Sequence, residues 1–402
     1  MFMKRKIWLI LCLFTFTLSC LARVIYNNHP LNDLPSQKSL ISQPPGIVVY
    51  NSKANTNIYI GSPSIVELKS GDYIASHDIF GNFISNTFLY KSTDKGNTWK
   101  RIAEIDILNW AKLFTCGDKL YLMGVAPKST SGYGNVVIMR SDDGGYSWTK
   151  PKDSKHGLLM KGYYTCAPTP VLFHHGYIWK AMENQRKIDG WGPFGAFMMS
   201  INENSNLLDA ANWMISNELQ YNGGIIDAST WLEGNAVIDK RDSVVDVLRL
   251  HYTKDDEAAI INVSRNGEKI TYNPQIGIAH LPGACKKFTI NYDSISDLYW
   301  TLSNYVLPKD RGGNLERTRN TLALCWSKDL INWNVKDILL HTDSIATRGF
   351  QYADWLFDGN DIIAVVRTAW PDETGNANSQ HNANYLTFYR FKNFRCKKEI
   401  GL

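Results

Sequence analysis

Few side chains in this sequence suit chemistry by type and setting alone. His77, in Ser76-His77-Asp78, offers an imidazole that could serve as a base, although a hydrogen-bonded structural histidine is the simpler reading. His174-His175 precede Gly176 and read as a hairpin turn rather than a metal site. His280 lies five residues before Cys285, and two such groups are too few for a metal centre. Lys286-Lys287 reads as a solvated pair. The tyrosines and tryptophans at 163–164 and 299–305 are candidate sugar platforms, with buried packing the simpler role for most. Cys116, Cys166, Cys285, Cys325 and Cys396 are odd in number and form no CxxC, so neither a disulfide framework nor a zinc knuckle is expected. No motif implies a cofactor.

The elements that must position such groups are strands. Of 402 residues, 44% are apolar and 20% charged, which excludes a disordered chain. Aromatics reach 12%, a share that favours β-structure and suits carbohydrate contacts. Short alternating or β-branched runs at 46–50, 64–68, 72–76, 135–139, 244–250, 287–291 and 361–367 are separated by Gly, Asn, Asp and Pro, the pattern of many short antiparallel strands. One short helix is expected at 207–214. Residues 1–20 carry Lys4-Arg5-Lys6, an apolar run and small residues, the layout of a secretory signal. Cys20 would be the first mature residue if Thr17-Leu18-Ser19-Cys20 is a lipoprotein cleavage site. Without the basic trio the net charge falls from +5 to near +2, and no basic run remains, so nucleic acid is not an expected partner. Residues 21–45, with four prolines, read as a tether, 46–395 as one domain and 396–402 as a tail.

Internal repetition is the stronger signal. Ser92-Thr93-Asp94-Lys95-Gly96-Asn97-Thr98-Trp99 follows Ser-x-Asp-x-Gly-x-x-Trp, and Ser141-Asp142-Asp143-Gly144-Gly145-Tyr146-Ser147-Trp148 repeats it 49 residues later. Ser327-Lys328-Asp329-Leu330-Ile331-Asn332-Trp333 is a degenerate copy without the Gly. The pattern suits a hairpin turn: Asp bonds backbone N–H groups, Gly supplies positive φ and Trp packs beneath. These segments resemble the Asp-boxes, or BNR repeats, of sialidase-type β-propellers, where they are structural and lie on the outer rim. The resemblance implies an all-β fold with a single β-propeller. At this spacing about seven four-stranded blades are expected, with six also compatible.

Carried over residue by residue, the resemblance assigns roles. Glu233, in Trp231-Leu232-Glu233-Gly234-Asn235, and Arg249 resemble the sialidase glutamate and second arginine. Arg319, in Arg317-Thr318-Arg319-Asn320, resembles the third arginine, and Tyr352, in Gln351-Tyr352-Ala353-Asp354, the catalytic tyrosine. Asp78 stands near the acid position. A Glu beside a Tyr makes the phenol a nucleophile, and arginines bind a carboxylate bidentately. Gly61, in Ile60-Gly61-Ser62-Pro63, occupies the place of the first arginine, which argues against a true exo-sialidase. The segments around Tyr163-Tyr164-Thr165-Cys166, Gly283-Ala284-Cys285-Lys286, Tyr299-Trp300-Thr301 and His381-Asn382-Ala383-Asn384-Tyr385 resemble two seven-bladed groups. These are the α-L-rhamnosidases that release rhamnose linked to glucuronate and the ulvan lyases. Asn51 stands where the rhamnosidases have a His, and Tyr164 and Asn184 where the lyases have one. Tyr164 or His77 would then substitute as base, with Asn184 and His381 among the substrate contacts.

The leading expectation is a glycoside hydrolase, rhamnosidase- or sialidase-like, acting on acidic rhamnose/uronate-type glycans. Glu233, Tyr352 and Asp78 would supply acid, base or nucleophile, and Arg249 and Arg319 would hold a carboxylate. The rivals are a polysaccharide lyase on rhamnose–uronate polymers and a non-catalytic glycan-binding surface protein. The expected partner is an oligo- or polysaccharide, with membrane contact only through a lipid anchor and a monomeric state. The expected location is secreted, periplasmic or outer-membrane in a bacterium.

Overall fold

The computed structural model describes residues 43–185, 191–223, 228–252 and 256–396. The leader at 1–20, nearly all of the tether and the tail after Cys396 lie outside the described residues.

Apart from four 3₁₀ turns, every regular element described is a strand. Ser64–Glu67, Tyr73–Phe80, Thr87–Ser92 and Lys100–Ile105 pair in order as an antiparallel meander. The same unit recurs as Trp231–Ile238, Val244–Leu250, Glu257–Val263 and Ile270–Tyr272. It recurs again as Thr289–Asp293, Leu298–Ser303, Thr321–Ser327 and Trp333–His341. Gly349–Asp358, Asp361–Ala369 and Tyr385–Phe391 form another, completed by Ile47–Asn51 from the beginning of the described chain. A further sheet has nine strands. It consists of two meanders, one from Asn109–Cys116 to Leu158–Thr165 and one from Leu172–His174 to Met214–Ile215, fused where Tyr164 and Thr165 pair with Asn184 and Glu183.

The described strands therefore make six meanders rather than the seven that the box spacing suggests. The spacing misleads because later units carry long inserts outside the strands, at 304–320 and 370–384. Apolar clusters fill the space between successive sheets, and they include last against first: Ile363, Val365 and Leu386 pack on Ile65, Tyr73 and Ala75. Strands packed on both faces become apolar throughout, as in the fully buried run Ile362, Ile363, Ala364, Val365 and Val366.

The box turns have the geometry their residues imply. Asp94 accepts the Thr98 N–H at 2.9 Å and the Ser92 hydroxyl at 2.8 Å, and Trp99 Nε1 donates to the Gly96 carbonyl at 3.0 Å. Asp143 and Trp148 repeat these bonds. In the degenerate copy Leu330 takes the positive φ, +68°, and Trp333 donates to its carbonyl at 2.9 Å.

Two local expectations fail. Within 207–214 there is only one 3₁₀ turn, Ala210–Asn212, with Asp209 accepting the Ala211 N–H at 3.1 Å. Leu207, Leu208 and Trp213 instead pack into the cluster between the second and third meanders, so their spacing serves tertiary contacts. Lys286 and Lys287 are buried, not solvated. Lys287 Nζ donates to Thr289 Oγ1 at 2.6 Å and the Ala353 carbonyl at 2.7 Å, and burial pushes it down to about 7.

Near the axis, polar groups tie sheets together. Asp354 Oδ2 accepts Ser64 Oγ at 3.0 Å, the Ile65 N–H at 2.8 Å and Lys112 Nζ at 2.5 Å, joining the sixth meander to the first and second. Both partners of this ion pair are buried. Asp354→Ala leaves the Lys112 ammonium unpaired and should lower stability by about 3–5 kcal/mol in urea unfolding. The double replacement Lys112→Met/Asp354→Leu should cost less than Asp354→Ala alone; a larger, additive loss would show that the ion pair is not what the single variant breaks.

Candidate active site

A cavity of about 480 Å³ opens at one end of the innermost strands. Asp78 and Phe80 mark that end of Tyr73–Phe80, whereas Tyr73, at the other end, pairs with Ser92 of the first box. Three innermost strands present a residue to the cavity by one device. Register slips between Asn109 and Lys112, between Leu232 and Asn235, and between Gln351 and Asp354. In each slip one non-Gly residue has positive φ: Trp110 at +55°, Glu233 at +58° and Tyr352 at +55°. All three line the cavity. Such bulges re-aim a side chain that regular alternation would send into sheet packing.

Glu233 and Tyr352 meet there. The Tyr352 hydroxyl donates to Glu233 Oε1 at 2.7 Å, and Arg249 Nη1 donates to Oε2 at 2.8 Å. Behind them, the Gly234 N–H donates to Glu183 Oε1 at 2.8 Å and fixes the peptide that follows Glu233. Burial, then the Glu233 charge, raises the Tyr352 phenol above its ordinary value, while Arg249, Arg319 and Arg367 pull it down. Burial works against the Arg249 charge, but Glu233, Tyr352 and Glu316 outweigh it.

Asp78 also lines the cavity and is only 3% exposed. Its Oδ2 accepts the Trp110 N–H at 2.7 Å and its Oδ1 the Ser62 N–H. Burial raises its carboxyl to about 6. A Cβ on residue 61 would lie 1.7 Å from Asp78 Oδ1, so Gly61 and this placement of Asp78 go together. The arginine missing from position 61 is thus a steric consequence of where the carboxylate sits.

Arg319 and His381 are in the lining as expected. His381 stands edge-on to Phe80 at 5.7 Å, and burial, then Arg367 and Arg319, hold it below its ordinary range. Several lining residues escaped the sequence reading. Glu316 Oε1 accepts from Arg249 Nη2 at 3.2 Å and from Arg319 Nη2, while its Oε2 pairs with Arg317 Nε at 2.9 Å. Burial would raise this carboxyl, but Arg319, Arg249 and Arg317 bring it below its ordinary value. His251 is pushed down to about 4 by burial and by Arg249. Arg367 lies across from Gln351 in the neighbouring strand and is 3% exposed. Its signal in the sequence was a lone guanidinium ending the apolar run Ile362-Ile363-Ala364-Val365-Val366.

Three expected site residues are not in the cavity. His77 is fully buried and stacks with Tyr50, Phe88 and Tyr90. Its Nδ1 lies 2.8 Å from the Asp78 carbonyl, and burial pushes it down to about 4, so it is a neutral packing residue. Tyr164 packs edge-on to Phe197 at 5.7 Å, and Asn184 donates to Glu218 Oε2 at 2.9 Å. Unbroken strand register sends His77 into sheet packing. His174 and His175 sit at a turn, as expected, where their ligand atoms and that of Asp242 lie within 4.8 Å of one another.

No protein-family model matches the chain, and no curated protein does. Solved structures do. A Dyadobacter fermentans protein of unknown function superposes with TM-score 0.57 at 14% identity, over 86% of this chain and 97% of its own. The GH93 α-L-arabinofuranosidase of Fusarium graminearum in complex with arabinobiose gives 0.56 at 11%, over 86% and 97%. Trypanosoma rangeli sialidase in complex with sialic acid gives 0.56 at 15%, over 87% and 57%. What the chain shares with the arabinofuranosidase and the sialidase is the fold, a β-propeller architecture.

Proposed function

We propose that the cavity is the active site of a glycoside hydrolase acting on an acidic sugar of an oligo- or polysaccharide. The observation that carries this reading is the 2.7 Å hydrogen bond from the Tyr352 phenol to Glu233, itself held by Arg249. Tyr352 attacks the anomeric carbon as its proton passes to Glu233 Oε1, and Asp78 protonates the departing glycosidic oxygen. Water then attacks the same carbon, giving a proton to Asp78, and Tyr352 leaves and regains its proton from Glu233. Asp78 suits the acid role because burial keeps it protonated at mildly acidic pH. The fold shared with an arabinofuranosidase and a sialidase supports the same reaction class. Elimination is less well served, since Tyr164 and Asn184, which it would use, lie outside the lining. The leader at 1–20 supports a site of action outside the cytoplasm, with Cys20 as the lipid attachment point if it is processed as a lipoprotein.

With aryl uronides and sialosides as substrates, Glu233→Gln and Asp78→Asn should each lower kcat by about 10²–10⁴-fold. Tyr352→Phe should lower it at least as far, with the fold intact by circular dichroism. Full turnover by Tyr352→Phe would end the hydrolase reading, and an ultraviolet-absorbing unsaturated product from ulvan would replace it with the lyase. Hydrolysis needs Asp78 protonated, and Asp78 loses its proton above its raised value, so kcat/KM should fall as pH rises through about 6. That alkaline limb should be missing from the residual activity of Asp78→Asn.

A further inference from the structure

Arg249 and Arg319 were expected to hold a substrate carboxylate, but their donors are already committed. Arg249 donates from Nε to the Cys285 carbonyl at 2.9 Å, from Nη1 to Glu233 at 2.8 Å and from Nη2 to Glu316 at 3.2 Å. Arg319 donates from Nε to the Glu316 carbonyl at 3.0 Å, from Nη1 to Gln351 and from Nη2 to the Glu316 carboxylate. Arg317, more than half exposed, is paired with Glu316. The cavity thus holds four guanidinium groups, and two of its three carboxylates, Glu233 and Glu316, are taken up by three of them.

Arg367 is the fourth. Its Nη2 donates to the His381 carbonyl, its Nε has no partner, and no carboxylate pairs with it among the described residues. Its guanidinium carbon lies 4.7 Å from the Phe80 ring centre and 4.9 Å from that of Tyr352. A buried guanidinium without a counter-ion is destabilising unless something brings one. Two aromatic rings favour the cation without neutralising it. Arg367 therefore lines the cavity beside the phenol with donors to spare.

We propose that Arg367 is the anion anchor of this cavity and takes the carboxylate of an acidic sugar in a bidentate grip beside Tyr352. Arg249 and Arg319 are then positioning residues that hold Glu233, Glu316 and Gln351. The assignment rests on the reading of the cavity as a sugar site, and it shifts anion recognition to the sixth meander, which packs on the first, where the position is vacated at Gly61. A carboxylate there can belong to a uronic acid or to a 2-ulosonic acid, and the two are separated by experiment.

The test is equilibrium binding of D-glucuronate, N-acetylneuraminate and neutral D-glucose to the full chain, by calorimetry and thermal shift, without turnover. At least one acidic sugar should bind and raise Tm, and glucose should not. Whichever acid binds identifies the source of the carboxylate. Arg367→Gln should weaken that binding by about tenfold or more, and Arg367→Lys should weaken it less, because it keeps the charge but loses the planar fork. Arg367→Gln should melt no lower than the wild type, since it removes an unpaired buried charge, whereas a merely structural arginine would lower Tm. Undiminished acid binding by Arg367→Gln, equal binding of glucose, or no acid binding by the wild type would overturn the assignment. Tyr352→Phe should bind the acid as the wild type does. Turnover with a KM for acidic substrate unmoved by Arg367→Gln would remove the anchor and leave the hydrolase. Arg367-dependent binding with full turnover by Tyr352→Phe would do the reverse.

Discussion

Glu233 and Tyr352 both stand in the left-handed region of backbone space, where an L side chain is disfavoured by about 1–2 kcal/mol. Each does so inside a bulge at the cavity end of an innermost strand. Without the bulges, period-two alternation would bury both side chains between sheets, as it does His77. The hydrogen bond between them consequently depends on two local distortions in separate meanders, held against a rigid ring of packed strands. Trp110 adopts the same conformation in the second meander, and its N–H anchors Asp78. One backbone device, used three times, therefore orients the phenol, its carboxylate partner and Asp78.

Charge follows from this geometry. Placing Glu233 next to a phenol in a buried setting requires a cation, and Arg249 is drawn to it. Arg249 and Arg319 converge on Glu316, which separates guanidinium groups that would otherwise repel one another. The cluster is self-neutralising except at Arg367. Asp78, under no such pairing, rises toward neutrality through burial alone. Glu316, paired with arginines, is held below its ordinary value while Asp78 is raised above it, so two carboxylates in one cavity are set apart by their surroundings.

Much of this was legible in the residues. The Ser-x-Asp-x-Gly-x-x-Trp turns announced both their own bonding and the architecture, because a turn is a local matter. Glu233, Arg249, Arg319, Tyr352 and Asp78, far apart in the chain, do line one cavity, as the resemblance implied. Arg367 was signalled only as a lone guanidinium ending an apolar run, and its setting and that of Glu316 were not legible because they come from what neighbouring meanders leave unpaired, a property of the assembled ring. His77, Tyr164 and Asn184 misled because residue type says nothing about which face of a strand a side chain takes. The box spacing favoured seven meanders over the six that were also compatible, because the inserts at 304–320 and 370–384 lengthen the later units. At 207–214 apolar spacing compatible with a helix was being used for packing, the usual way in which tertiary context overrides a local pattern.

The ring is shut by the first of the described strands. Ile47 pairs with Phe388 and Asn51 with Tyr385, so the outermost strand of the last meander is made hundreds of residues before its mate. Closing so large a loop adds entropy cost only logarithmically, but the delay is real. While the chain is being synthesised, that early segment waits with an unsatisfied edge. Closure is therefore the last step open to this fold, since Ile47–Asn51 cannot be paired until Tyr385–Phe391 has been made.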